Sequence, residues 1–185
     1  ATFGYKFSPT IEGLLGVAAL VTKKPVYLEF TQEQHFAYTG KRSPFFMNVK
    51  FAADEDGMLQ AMEGDFFVDH GPYCEFGDLL TIRGTQFMGA GYNIPNIRNK
   101  GRTVATNHAW GSAFRGYGSP QSLFSSEVLI DKLAAEMGVD PFELRYKNVY
   151  RPGGTTPPGC PPEVYCLPDA LDKLRPYYKE AKANA

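Results

Sequence analysis

Two stretches of this chain combine glycine, an aromatic ring and a cation, and each leads directly into a Ser-Pro pair. The first is Phe3-Gly4-Tyr5-Lys6-Phe7-Ser8-Pro9, and the second is Ala113-Phe114-Arg115-Gly116-Tyr117-Gly118-Ser119-Pro120-Gln121. Glycine allows tight turns and lets backbone approach a ligand closely. A helix start offers unpaired N–H groups and a partial positive charge, which suits an anion. Two such loops could converge on one large anionic ligand. Spacing alone fits two ordinary strand-to-helix turns, with glycine there for geometry. Arg115, by its residue type alone, reads as half of a surface salt bridge.

The elements that must position these loops follow from local signals. Ser8-Pro9 predicts a helix over 9–21, with Ile11, Leu14, Leu15 and Ala18 at helical spacing. Gly13 and Gly16 inside it suggest close packing against a neighbour. Val26 to Phe30 reads as a strand, and Thr31 as the cap of a short helix through His35. Phe45–Ala53 and Met58–Val68 flank Asp54-Glu55-Asp56-Gly57, a strong hairpin signal. Residues 75–88 read as helix and 102–106 as a short strand. Ser119-Pro120 predicts a helix to Met137 that Gly138 terminates, with Ile130, Leu133, Ala134 and Met137 as its apolar stripe. Asp140-Pro141-Phe142-Glu143 has the form of a capping box. Residues 151–168 contain six prolines and read as an irregular connector before a final helix over 169–182. The expected fold class is α+β, an antiparallel hairpin or small sheet packed with several helices. The expected organisation is 1–150 as the main body, 151–168 as connector and 169–185 as C-terminal helix.

Composition excludes several function classes. A formal charge of −1 with 43% hydrophobic and 21% charged residues fits an ordinary globular chain and leaves no basic footprint for nucleic acid. Fourteen Phe and 11 Tyr are not interleaved with basic clusters, so no base-stacking platform emerges. Cys74, Cys160 and Cys166 are too few and too dispersed for an iron–sulfur or zinc framework, and their odd number argues for a reducing, cytoplasmic setting. Neither a leader nor a membrane span is expected. His35, His70 and His108 lack metal-ligand spacing, and Ser112 and Ser119 lack the partners of a hydrolase nucleophile. Asp54, Glu55 and Asp56 read as a turn rather than a calcium loop, and Trp110 as packing beneath the second loop.

The segment from Phe114 to Gln121 resembles the Ala-Phe-Arg-Gly-aromatic-Gly-x-Pro-Gln signature of the molybdenum hydroxylases, the xanthine oxidase and aldehyde oxidase family. Thr2-Phe3-Gly4-Tyr5-Lys6 resembles that family's Gly-Phe-Gly-Gly-Lys loop, and Glu143-Leu144-Arg145-Tyr146-Lys147-Asn148 adds to the likeness. The resemblance covers essentially the whole chain and is strongest to bacterial aldehyde oxidoreductases. It implies a fragment of a molybdopterin-binding region that serves oxidation of an aldehyde to its acid, inactive alone. The implied cofactor is molybdenum on molybdopterin, with a cytosine dinucleotide, the protein giving no direct ligand to the metal. Phe3, Gly4, Ala113, Phe114 and Arg115 would contact it, and Arg115 would act in catalysis. The family's catalytic glutamate, in a Gly-x-Gly-Glu setting, and its cysteine clusters for 2Fe–2S centres do not occur in this sequence. The resemblance further implies a homodimeric, cytoplasmic enzyme completed by other segments.

Substrate choice departs from the family's purine oxidisers. These carry glutamate where this chain has Phe7, and arginine in the region of Phe76 and Leu79. With Tyr117, these residues would wall a hydrophobic channel suited to an aldehyde, whereas a purine would leave polar edges unpaired at roughly 1–3 kcal/mol per buried group. The alternatives are that Phe7, Phe76 and Leu79 are plain core residues, that the substrate is a purine, or that the chain is an inert assembly module.

Overall fold

A computed structural model describes residues 3–4, 11–73 and 75–184. In chain order the elements are α1 (Glu12–Thr22), α2 (Gln32–Tyr38), β1 (Lys41–Arg42), β2 (Phe45–Ala53) and β3 (Leu59–Asp69), followed by α3 (Gly77–Phe87) and β4 (Asn96–Val104). The remainder are β5 (Gly111–Ser112), α4 (Ser119–Met137), α5 (Pro141–Asn148) and α6 (Leu167–Ala183). The fold is α+β, as the sequence predicts.

The hairpin forms where its turn residues stand. Asp54 Oδ1 accepts the N–H groups of Asp56 (3.1 Å) and Met58 (2.8 Å), and Gly57 takes a φ of +78° that a side chain would resist. β2 and β3 are therefore antiparallel neighbours in a three-stranded sheet ordered β2-β3-β4. β4 runs parallel to β3, because its contacts climb in step: Asn96 Nδ2 donates to the Gln60 carbonyl (2.9 Å) and Arg98 pairs with Glu63 (3.7 Å). The helix α3 is the crossover that a parallel pair requires. Along β2 the residues Met47, Val49 and Phe51 are half-buried while Phe46, Asn48 and Lys50 are exposed, the alternation of a strand covered on one face. On β3, Met62, Gly64, Phe66 and Val68 share the buried face.

The chain divides into two compact units. One comprises Ala1–Phe46, Phe67–Thr81 and Arg102–Tyr117; the other comprises Met47–Phe66, Ile82–Gly101 and Gly118–Ala185. The second unit holds most of the core, with Leu59, Met62, Phe66, Met88, Ile94, Ile130, Ala134 and Leu144 all buried. Asn148 is buried among them and fully used: Oδ1 accepts from Leu59 N–H (2.8 Å), and Nδ2 donates to the carbonyls of Gly57 (2.8 Å) and Leu144 (2.9 Å). Arg145 bridges Glu127 (2.8 Å) and Asp131 (2.7 Å), and Tyr92 donates to Glu127 (2.8 Å). Burial works against the Arg145 charge, but the two carboxylates outweigh it and raise its pKa.

Several expectations are corrected. Residues 26–30 form no strand, and Tyr27 is exposed. β4 starts six residues earlier than expected, at Asn96. Cβ atoms built on Gly13 and Gly16 would meet nothing within 4 Å, and α1 buries no residue within the described chain, so the inferred close neighbour is absent there. Ser8 and Pro9 lie outside the described residues, and the described part of α1 is preceded by Ile11 without a side-chain cap. Gly118, at φ +90°, and not Ser119, caps α4, and Pro120 sits inside its first turn. The fully buried stripe of α4 is Ser122, Ser126, Ile130 and Ala134; the expected Leu133 and Met137 are half-buried, and two small hydroxyls extend the stripe toward the helix start. Ser122 Oγ donates to the Gly84 carbonyl at 2.8 Å and Ser126 Oγ to that of Met88, so that backbone of 84–88 approaches closely. At α5, Asp140 caps through Phe142 N–H (2.8 Å) and Glu143 N–H (3.3 Å), while Glu143 pairs with Arg175 instead of closing the box. Thr31 and Gln34 form the complete capping box at α2.

Candidate functional site

The site lies within the first unit and is built from three chain segments. β1 pairs parallel with β5, in the register Lys41↔Gly111 and Arg42↔Ser112, which fixes the approach to the second loop. Gly111 is required there: a Cβ would stand 2.1 Å from Ser43 Oγ and 2.6 Å from His70 Nδ1. Ser43 and His70 are themselves buried and 2.8 Å apart (Oγ···Nδ1), and burial lowers the pKa of His70 despite nearby Glu75, Asp78 and Asp69. His70 is thus structural, supporting the strand that leads into the loop. His108 pairs with Asp69 at 3.2 Å, and His35 packs edge-on to Phe30. Among the described residues no cluster of His, Cys, Asp or Glu could hold a metal ion.

The second loop turns sharply. Tyr117 N–H donates to the Phe114 carbonyl (2.8 Å), with φ values of +91° at Gly116 and +41° at Tyr117. The first loop meets it edge to edge: Arg115 N–H donates to the Phe3 carbonyl at 2.6 Å, and the rings of Phe3 and Phe114 stack at 6.5 Å between centroids. Gly4 lies so close that a Cβ would be 2.8 Å from the Ala113 carbonyl oxygen, and its φ of +100° is open only to glycine. Phe3 and Tyr117 are two of four non-glycine residues with positive φ among the described residues, and such strain gathers at functional sites.

Together the loops border an open, almost wholly apolar cleft of about 570 Å³, lined by Phe3, Gly4, Phe76, Leu79, Ala113, Phe114, Arg115, Gly116 and Tyr117. Every described residue that the sequence singles out for the cofactor or the channel therefore meets in one place. Phe7 lies outside the described residues. Tyr117 donates its hydroxyl to the Phe76 carbonyl (2.8 Å), joining two walls of the cleft. Leu79 is exposed, Phe76 and Phe114 half-buried, so these side chains face the opening instead of a packed interior. The Arg115 guanidinium is exposed and forms no ion pair with a described residue. Its surface-salt-bridge alternative has no partner there.

Sequence reasoning missed Arg42. Its Nη2 donates to the Arg115 carbonyl (2.6 Å) and its guanidinium covers the Phe114 ring at 4.6 Å. No motif marks it, because the contact spans 73 positions and arises only from the β1–β5 pairing. Its neighbour Lys41 donates to the carbonyl of His35 (2.8 Å) and to Thr39 Oγ1 (3.1 Å), and burial lowers its pKa.

The molybdopterin cofactor-binding domain pattern matches residues 1–149, the span that contains both loops. The chain belongs to this family. It is 67% identical over 184 residues to an aldehyde oxidoreductase of Megalodesulfovibrio gigas, covering 100% of this chain and 20% of that protein. The solved aldehyde oxidoreductase from Desulfovibrio gigas superposes with a TM-score of 0.95 at 67% identity, again over 100% of this chain and 20% of that one. More distant in the same family is the xanthine dehydrogenase/oxidase of Mus musculus, 31% identical over 166 residues, which are 90% of this chain and 12% of that protein. The chain thus spans about a fifth of the length of the aldehyde oxidoreductases it matches. No described helix is long and apolar enough to cross a membrane.

Proposed function

We propose that this chain forms part of the cofactor site and substrate channel of a molybdenum-dependent aldehyde oxidoreductase, which converts an aldehyde and water to the carboxylic acid. The observation that carries this reading is the single apolar cleft shared by both loops and by Phe76, Leu79 and Tyr117. The residues present suit a molybdopterin. A Cβ at Gly4 would stand 2.8 Å from the Ala113 carbonyl oxygen, so the backbones of the two loops pack directly on each other and border the cleft together. The exposed Arg115 offers charge to an anion, and among the described residues no carboxylate lines the cleft. When bound, the cofactor supplies the redox centre that accepts the substrate's electron pair.

The chain's own contribution is binding, orientation and exclusion of water. Phe3, Gly4, Ala113 and Phe114 shape the cofactor edge, largely through backbone, and Arg115 stabilises negative charge that develops on oxygen. Phe76, Leu79 and Tyr117 form the described channel walls, and the resemblance adds Phe7 to them. An aldehyde presents one polar atom and keeps the rest apolar, which matches these walls. A purine would bury several polar groups without partners, and the Tyr117 hydroxyl is already engaged with Phe76. The resemblance to bacterial aldehyde oxidoreductases supports a cytosine dinucleotide on the pterin and a cytoplasmic homodimer. The catalytic base and the 2Fe–2S centres belong to further segments of the full-length protein.

The test is full-length protein purified from a host that makes the cofactor, assayed for molybdenum, for pterin and for turnover of aromatic aldehydes against xanthine. Aldehyde turnover exceeding purine turnover by orders of magnitude is expected. Purine turnover equal to or above aldehyde turnover, or a folded protein free of molybdenum, overturns the proposal.

A further inference from the structure

Arg42 reaches the second loop in two ways at once. Nη2 donates to the Arg115 carbonyl at 2.6 Å, and the flat guanidinium lies 4.6 Å from the centroid of the Phe114 ring. Phe114 in turn stacks on Phe3, and the Arg115 N–H holds the Phe3 carbonyl at 2.6 Å. Arg42 and Phe3 therefore both pack against Phe114, and hydrogen bonds hold Arg115 at its N–H and at its carbonyl. The base of this arrangement is fixed, because Arg42 sits in register with Ser112, two residues before Phe114. Arg42 itself borders a second cleft of about 500 Å³ and not the apolar one, so it does not touch the proposed substrate path.

We propose that Arg42 is a positioning residue for the cofactor site, setting the placement of Phe114 and Arg115 and, through them, of Phe3. This rests on the reading of those residues as cofactor contacts. The chemistry calls for arginine. A guanidinium can lay its plane on a ring while donating in that plane to a carbonyl, whereas a lysine ammonium is a point charge that can satisfy one contact or the other.

The experiment uses the full-length protein, with Arg42→Ala and Arg42→Lys beside Gly4→Ala as a variant of the site itself. Three quantities are read: amide hydrogen exchange over 113–117, molybdenum retained through gel filtration, and kcat separately from KM. In Arg42→Ala, exchange at the Arg115 amide rises at least about tenfold, the fold-change of one lost charge-assisted hydrogen bond. With aldehyde as substrate, kcat falls by up to about 100-fold, the effect of an ångström-scale misplacement, while KM stays within about threefold. Arg42→Lys retains the charge and fails to restore either quantity, whereas added ethylguanidinium restores part of both to Arg42→Ala. Wild-type exchange and kcat in Arg42→Ala overturn the proposal, as does full restoration by lysine. If Arg42→Ala does not fold, Arg42→Lys alone decides, since it preserves the stem and charge. If Gly4→Ala leaves molybdenum retention unchanged, the reading of the loops as cofactor contacts fails. If Gly4→Ala loses metal and Arg42→Ala changes nothing, only the role of Arg42 fails.

Discussion

Replacing Gly4 by alanine tests the convergence of the two loops most directly. The backbone there has φ +100°, and the new Cβ would lie 2.8 Å from the Ala113 oxygen, 3.0 Å from its carbonyl carbon and 3.2 Å from Phe114 N. The conformational penalty for an L-residue is about 1–2 kcal/mol, and overpacking against backbone that cannot rotate away adds about 1–3 kcal/mol. The least costly relief moves Phe3 and Gly4 off the 113–115 segment and breaks the Arg115 N–H bond to the Phe3 carbonyl. We expect full-length Gly4→Ala to fold but to lose affinity for its cofactor by about 30-fold or more, on the scale of 2–4 kcal/mol. Molybdenum per chain after gel filtration, with pterin fluorescence as a second measure, reads the loss. Adding Ala113→Gly should give no rescue, because the clash is with the carbonyl and not with the methyl group. Full molybdenum content and wild-type aldehyde turnover in Gly4→Ala would refute the argument, since the loops would then not need this close approach.

Other outcomes follow from single contacts. Tyr117→Phe removes the bond to the Phe76 carbonyl, about 1 kcal/mol, and should raise the KM for aldehyde several-fold with kcat nearly unchanged; a large fall in kcat alone would assign the hydroxyl to chemistry instead. Asn148→Ala strands the buried Leu59 amide and two carbonyls, at about 2–4 kcal/mol, and hydrogen exchange at Leu59 should accelerate by about 30-fold or more; unchanged protection would show that water replaces the side chain. Asp140 has its carboxyl pulled down to about 2, chiefly by Lys182, then by the N–H of Phe142, by Tyr178 and by the N–H of Glu143. Because the folded value lies below the unfolded one, this contribution is present above the ordinary carboxylate range and is lost as pH falls from about 4 toward 2. Asp140→Asn keeps a cap of similar quality, so exchange over α6 should become less dependent on pH in that window; an unchanged acid profile would place the sensitivity elsewhere.

How much of this was readable without coordinates depends on the range of the interaction. The hairpin turn at Asp54–Gly57, the Thr31 cap and the Gly138 stop of α4 are local, set by side chains bonding their own backbone or by a φ that only glycine adopts easily. The two Gly-aromatic-cation loops were legible for the same reason, and the cleft draws its described lining from them and from Phe76 and Leu79. The rest arose between distant segments. Residues 26–30 have strand composition but form no strand, and a strand exists only through its partner. On α4 the helical period is obeyed, yet Ser122 and Ser126 take the buried face because the backbone at Gly84 and Met88 passes close enough to need small hydroxyl donors. Arg42 carries no local mark at all, and its place above Phe114 is decided by the two-residue pairing of β1 with β5. By itself the sequence determined the turns, caps and loop chemistry, which depend on neighbours along the chain. Only the tertiary structure decided which faces were buried and which cation was set against the loop, because burial and long-range hydrogen bonds depend on neighbours in space.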